Sequence, residues 1–184
     1  VTPDTDLRTL NLNWRERDLP ERERTKHVHR LHPYLGKFIP QLVEIFLRKF
    51  RPRLVADPFA GSGTTLVEAA TLGIDCFGVD ISPFNCLLSK VKVDNYDPRR
   101  VRFEIVDILR RSRENQRCLF DHGGSETPRI LPPTPYISEW FAPQAQEELL
   151  AYCALIPNYE YQDLLKIILS RAARSARLVT HHEL

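Results

Sequence analysis

Apolar residues are sparse up to residue 30. Charge alternates through Arg15, Glu16, Arg17 and Asp18 and again from Glu21 to Lys26, with few apolar anchors apart from Leu10, Leu12, Trp14 and Leu19. This stretch reads as a polar arm or lid. From Ile39-Pro40 the pattern changes: proline takes the favoured first position of a helix, and Leu42, Ile45, Phe46 and Phe50 follow three and four apart as one stripe. Arg53 to Asp57 reads as a short buried-type strand ending in an acid, and Pro58 to Gly63 as a loop. A second helix opens at Thr64-Thr65, where Thr65 and Glu68 have capping-box spacing, and closes at Gly73. Asp75 to Asp80 is a second strand ending in an acid. Ser82-Pro83 caps a third helix whose Phe84, Leu87, Leu88 and Val91 share a face. Helix, strand, glycine loop, helix, strand, helix is the opening of a doubly wound parallel sheet, so an α/β fold is expected.

Beyond Lys92 the strand signal fades. Asp97-Pro98 starts a pattern with Val101, Ile105, Ile108 and Leu109 at helical spacing; Val101 to Val106 alone would also suit a strand, and helix is favoured. Gly123 to Pro135 is a Gly/Ser/Pro-rich loop, and Gln144 to Leu155 and Tyr161 to Arg177 are helical patterns. Composition adds the class: 184 residues, 42% hydrophobic and 27% charged, suit one folded domain with a core and exclude a wholly disordered chain. No apolar run is long enough for a membrane span, and the polar N-terminus is no secretory signal, so a cytoplasmic location is expected. Cys76, Cys86, Cys118 and Cys153 form no C-x-x-C pair, which argues for buried or idle thiols and implies no metal.

Net charge is only +2. The basic residues nonetheless gather between Arg99 and Arg117 and at Arg171, Arg174 and Arg177, as solvated helix faces or as phosphate contacts. The chain holds no methionine and stops at His181-His182-Glu183-Leu184 directly after a helical pattern. Those two features suggest a piece of a longer protein: a polar arm over 1–30, then over 31–184 a domain cut short.

The chemistry concentrates in Asp57-Pro58-Phe59-Ala60-Gly61-Ser62-Gly63-Thr64-Thr65, between a strand and a helix. It lacks the lysine and spacing of a Walker A loop and the third glycine of the dinucleotide fingerprint. It does provide a tight turn that lets a ligand approach backbone N–H groups at a helix N-terminus, a favourable place for a carboxylate. Asp57 beside it can accept from an ammonium. Asp80, at the end of the next strand, is placed to take both hydroxyls of a ribose. A ligand with an amino-acid end and a ribose fits both, and S-adenosylmethionine is such a ligand.

This nine-residue stretch resembles motif I of the DNA amino-methyltransferases, which methylate cytosine N4 or adenine N6. Gly78-Val79-Asp80-Ile81-Ser82 resembles their motif II, and His32-Pro33-Tyr34-Leu35-Gly36-Lys37-Phe38-Ile39-Pro40 their motif X, in matching order. The resemblance implies a partial Rossmann-like, helix-rich methyltransferase fold with a small parallel sheet. It also implies that S-adenosylmethionine is held by Tyr34, Lys37, Phe38, Asp57, Phe59, Gly61, Gly63, Thr64, Asp80 and Ile81. Double-stranded DNA, with cytosine N4 as target, would be the substrate, and a restriction endonuclease a companion.

The family's Asp/Asn/Ser-Pro-Pro-aromatic catalytic loop is missing. Leu131-Pro132-Pro133-Thr134-Pro135-Tyr136 comes nearest, but Leu131 offers no acceptor and Thr134-Pro135 intervenes before the ring. No catalytic residue is therefore expected in this chain, which alone should be inactive. A guanine-N2 RNA methyltransferase, whose motif I also begins Asp-Pro-Phe, is the enzymatic rival, and a non-catalytic nucleoside-binding module the other. With only two confident strands, the chain should expose an unpaired strand edge with apolar surface around it.

Overall fold

The computed structural model describes residues 4–15, 17–34, 36–121 and 135–178. They fall into two compact units, Val1–Asp94 and Asn95–Leu184.

The first unit is the α/β part. After a 3-10 turn at Leu7–Thr9 and the one-turn helix α1 (Glu21–Arg24), a second 3-10 turn at His27–Arg30 leads to α2 (Pro40–Phe50), with proline opening it as expected. Strand β1 (Leu54–Asp57) and strand β2 (Asp75–Gly78) pair in parallel, Leu54 beside Asp75 and Asp57 beside Gly78. The pairing continues one step further, Val79 N–H donating to the Asp57 carbonyl at 2.9 Å. Between the strands α3 (Thr64–Thr71) packs on both of them and on α2 and α4 (Pro83–Val93). This parallel β–α–β crossover is a partial Rossmann-like methyltransferase fold. Its apolar interior is Leu47, Leu66, Val67, Ala69, Leu88 and Val91.

Two expectations for this unit need correction. The stripe on α2 does not bury as one: Leu42 and Ile45 are half-buried, Phe46 and Phe50 are exposed and stacked on each other 6.3 Å apart, and Leu47 is the buried side chain. Thr65 and Glu68 form no capping box, because left-handed Gly63 is the N-cap and Glu68 points inward to other partners. Gly73 does end the helix in the left-handed region, with φ 68°. The exposed apolar surface expected beside the strands is present at Leu54, Phe77 and Val79, each more than half exposed.

The second unit is helical: α5 (Pro98–Asp121), α6 (Pro135–Trp140), α7 (Pro143–Leu155), a 3-10 turn at Ile156–Asn158 and α8 (Gln162–Ser175). Val101 to Val106 is helix, since Asp97-Pro98 starts α5 and Ile105 and Ile108 turn to one apolar cluster with Tyr152, Leu155, Ile156, Tyr159 and Leu165. Glu104, fully buried beside that cluster, accepts from Arg100 Nε (2.9 Å) and from the N–H groups of Glu160 (3.2 Å) and Tyr161 (3.0 Å). It thus ties the start of α8 to α5. Of the loop expected from Gly123 to Pro135, residues 123–134 lie outside the described residues, as do the terminal His181-His182, while Pro135 already opens α6. Among the described residues no helix is long and apolar enough to cross a membrane.

Candidate functional site

The site grows from the turn that joins β1 to α3. Asp57 ends the strand and its Oδ1 accepts from Phe59 N–H at 3.0 Å, which folds Pro58-Phe59 outward and leaves the Phe59 ring almost fully exposed. Gly61 and Gly63 both take positive φ, 50° and 77°, where a side chain would be strained. They also lie close to neighbours: a Cβ on Gly61 would stand 3.4 Å from the Tyr34 hydroxyl, and one on Gly63 only 2.8 Å from Ser89 Oγ. Gly63 N–H returns to the Ala60 carbonyl at 2.7 Å, closing the turn.

Asp80 holds the turn from two residues beyond β2, which ends at Gly78 rather than at the expected Asp80. Its Oδ2 accepts from Gly61 N–H at 2.8 Å, and its Oδ1 from Ser82 N–H (2.8 Å) and Asn85 Nδ2 (3.0 Å). The Ser82 and Asn85 bonds, with that from Gly61, hold this carboxyl below its ordinary range. A carboxylate has about four acceptor directions. Three are taken here, which leaves one acceptor direction open at Oδ2. Asn85 also donates to the Tyr34 hydroxyl at 3.2 Å, and so joins the 32–40 segment to the strand end.

Together these elements line an open cleft of about 220 Å³. Its walls include Tyr34, Lys37, Phe38, Asp57, Phe59, Gly61, Thr64 and Asp80 among the residues singled out from sequence, together with Ser62 and Thr65. Gly63 and Ile81 are not among the lining residues; Gly63 provides clearance against α4, and Ile81 stands fully exposed next to Asp80. Lys37 Nζ donates to the His29 carbonyl at 3.1 Å, and burial lowers its pKa.

The donor set suits a nucleoside that carries an anionic end. The backbone N–H groups of Thr64 and Thr65, at the first turn of α3, have no acceptor among the described residues, and the buried Ser62 Oγ likewise has none. Lys37 adds a cation on the same wall, Asp80 Oδ2 a free acceptor, and Phe59 and Ile81 apolar surface beside it.

Several residues that shape this site escaped the sequence reading. Glu68, 1% exposed, accepts from Lys26 Nζ at 2.8 Å and pairs with His29 Nε2 at 2.9 Å, while Lys26 also bonds Glu44. Burial pushes the Glu68 carboxyl up, but the His29 and Lys26 bonds outweigh it and hold it below its ordinary value. The segment expected as a polar arm or lid is joined at Lys26 and His29 to the helix that follows the glycine turn. Of the thiols expected to be buried or idle, Cys86 is exposed and Cys76 is half-buried against the Leu66 carbonyl. On α4, Asn85, Ser89 and Lys92 recur at helical spacing next to the apolar stripe, and that second stripe was the available signal.

Comparison with known proteins covers the same stretch of the chain. A family model described as DNA methylase matches residues 14–91, which span the cleft and its supports. The chain belongs to the DNA amino-methyltransferase family. It is 33% identical to the Type II methyltransferase M.MjaII of Methanocaldococcus jannaschii over 90% of this chain and 43% of that protein. With the Type II methyltransferase M.MvaI of Kocuria varians it shares 33% identity over 71% of this chain and 29% of the relative. It thus spans less than half the length of either. No solved structure matches it.

Proposed function

We propose that the full-length protein transfers a methyl group from S-adenosylmethionine to an exocyclic amino nitrogen of a base in double-stranded DNA, with cytosine N4 as target. The observation that carries this reading is the cleft at the glycine turn, where free N–H groups, Lys37 and a partly free Asp80 converge within one wall. When bound there, S-adenosylmethionine supplies the sulfonium methyl. Thr64 and Thr65 N–H groups and Lys37 would receive its carboxylate, Asp57 its ammonium and Asp80 Oδ2 one ribose hydroxyl. Phe59 and Ile81 would flank the adenine, and Tyr34 and Phe38 would close the side toward the methionine chain. The chain's task is to bind and orient, which is where much of the acceleration of a group transfer lies. The groups that would orient the extruded base belong to the catalytic loop, expected outside this sequence. A cytoplasmic location and a companion endonuclease fit the Type II designation of the relatives.

The test is incubation of the full-length protein with tritiated S-adenosylmethionine and mixed genomic DNA, followed by nucleoside analysis. Labelled N4-methylcytosine is expected; N6-methyladenine would correct the target, and label in guanine from a parallel incubation with total RNA, with none in DNA, would favour the rival enzyme. Gly61→Val should abolish cofactor binding in calorimetry, and Asp80→Ala should weaken it about tenfold or more. Unchanged affinity in both variants would overturn the site.

A further inference from the structure

Helix α4 turns two unlike faces inward. Leu88 and Val91 are apolar and belong to the core, whereas Ser89 and Lys92, equally buried, face the glycine turn. Ser89 Oγ donates to the Gly61 carbonyl at 3.0 Å, and Lys92 Nζ donates to the Ser62 carbonyl at 2.6 Å. Two successive carbonyls of the turn are thus drawn to one side, by residues three apart on one helix. A trans peptide is planar, with its N–H opposite its C=O. Fixing the Gly61 carbonyl toward α4 therefore aims the Ser62 N–H away from α4, and Ser62 is one of the residues that border the cleft.

Burying an ammonium without a carboxylate is costly, and among the described residues Lys92 has no ion-pair partner. For mere support of a carbonyl, a neutral side chain would serve at lower cost. What the charge adds is positive potential behind the turn, on the same side of the fold as Lys37, and a low-dielectric interior makes that potential count for more.

We propose that Ser89 and Lys92 are positioning residues that template the glycine turn for the carboxylate end of the cofactor, with the Lys92 charge favouring that anion through the turn's peptides. Burial, together with the nearby Lys37 charge, already lowers the Lys92 pKa to about 8, as expected of a cation whose counter-charge comes with a ligand. The assignment rests on the reading of the cleft as an S-adenosylmethionine site and adds to it how the turn is shaped and polarised.

The test compares two ligands on the full-length protein by calorimetry: S-adenosylhomocysteine, which carries the amino-acid end, and methylthioadenosine, which lacks it. Lys92→Met and Ser89→Ala should each weaken S-adenosylhomocysteine about tenfold and leave methylthioadenosine within about twofold, the retained nucleoside affinity showing that the site is folded. Equal weakening of both ligands would reduce the pair to structural support and overturn the proposal, as would unchanged affinity for both. If Lys92→Met fails to fold, Ser89→Ala, which deletes one oxygen, decides the matter by the same criterion. Asp80→Ala measured alongside separates the two levels. If it weakens binding while the α4 variants do not, only the α4 assignment falls; if it too changes nothing, the cleft reading falls and takes this assignment with it.

Discussion

The two units bury different kinds of side chain. In the second, Ile108, Tyr152, Leu155, Ile156, Tyr159, Leu165 and Ile167 line the interior, and among the described residues Glu104 and Ser112 are buried beside them with the Tyr152 hydroxyl. In the first, His29, His32, Ser62, Thr64, Glu68, Ser89 and Lys92 are all buried beside an apolar set of similar extent, while Phe59, Phe77, Val79 and Ile81 stand exposed. The first unit has placed polar groups where a domain concerned only with stability would place leucine. Most of them act on the glycine turn or on the helix that follows it. The contrast sets an interior organised by polar anchors around the glycine turn against one that is mainly apolar.

If that is right, the sharpest break should come from Glu68. Glu68→Ala strands the buried His29 and the half-buried Lys26 without their shared partner, and should cost about 3–5 kcal/mol. Hydrogen exchange should show the loss confined to protection in the first unit. Equal loss in both units would mean that they do not differ as described. The second unit has one counterpart. Glu104→Ala leaves the Glu160 and Tyr161 N–H groups without their acceptor and should cost about 2–4 kcal/mol in denaturant unfolding, with S-adenosylmethionine affinity unchanged.

A third measurement uses pH. Lys92 sits at about 8 when folded, against an ordinary 10.5. Between those values the unfolded chain binds the proton and the folded chain does not, so stability rises with pH across that window, by roughly 1–3 kcal/mol from this group. Below about 8 both states carry the charge and the full burial cost applies. Lys37, also lowered, adds slope in the same direction, so the difference between wild type and Lys92→Met in urea midpoints at pH 7.5 and 10 isolates Lys92. No difference in slope would remove the buried charge from the account. The smallest effect is expected in the second unit. The Tyr152 hydroxyl is buried with no partner among the described residues, and burial, with the nearby Tyr159, pushes its pKa up to about 12. Tyr152→Phe should therefore be neutral or stabilising by up to about 1 kcal/mol in thermal unfolding; a clear loss would reveal a hydrogen bond that matters.

The readable parts of the sequence were those whose chemistry is local. A strand ending in Asp57, a Gly-x-Gly turn, and Asp80 followed by Ser82-Pro83 each fix their own backbone within a few residues, and they fall where the pattern placed them. Glu68 was misread because its spacing from Thr65 satisfies a local rule, whereas its partners lie 39 residues earlier at His29 and at Lys26. Phe46 and Phe50 fit a helical stripe, yet which face of α2 is covered depends on α3, and Leu47 took the buried place. Asn85, Ser89 and Lys92 look like ordinary helix polarity until the turn they serve is folded against them.

The tether between His29 and Glu68 also bears on how this protein can be handled. By composition, residues 1–30 invite removal as a charged tail. Cutting them away would expose Glu68 at the back of the helix that begins at the turn, and leave Lys37 without the His29 carbonyl that steadies it. A proteolytic nick after Arg30 is therefore expected to silence the cleft without cutting beside Tyr34, Lys37 or Phe38, and bound cofactor should in turn protect that stretch from the protease.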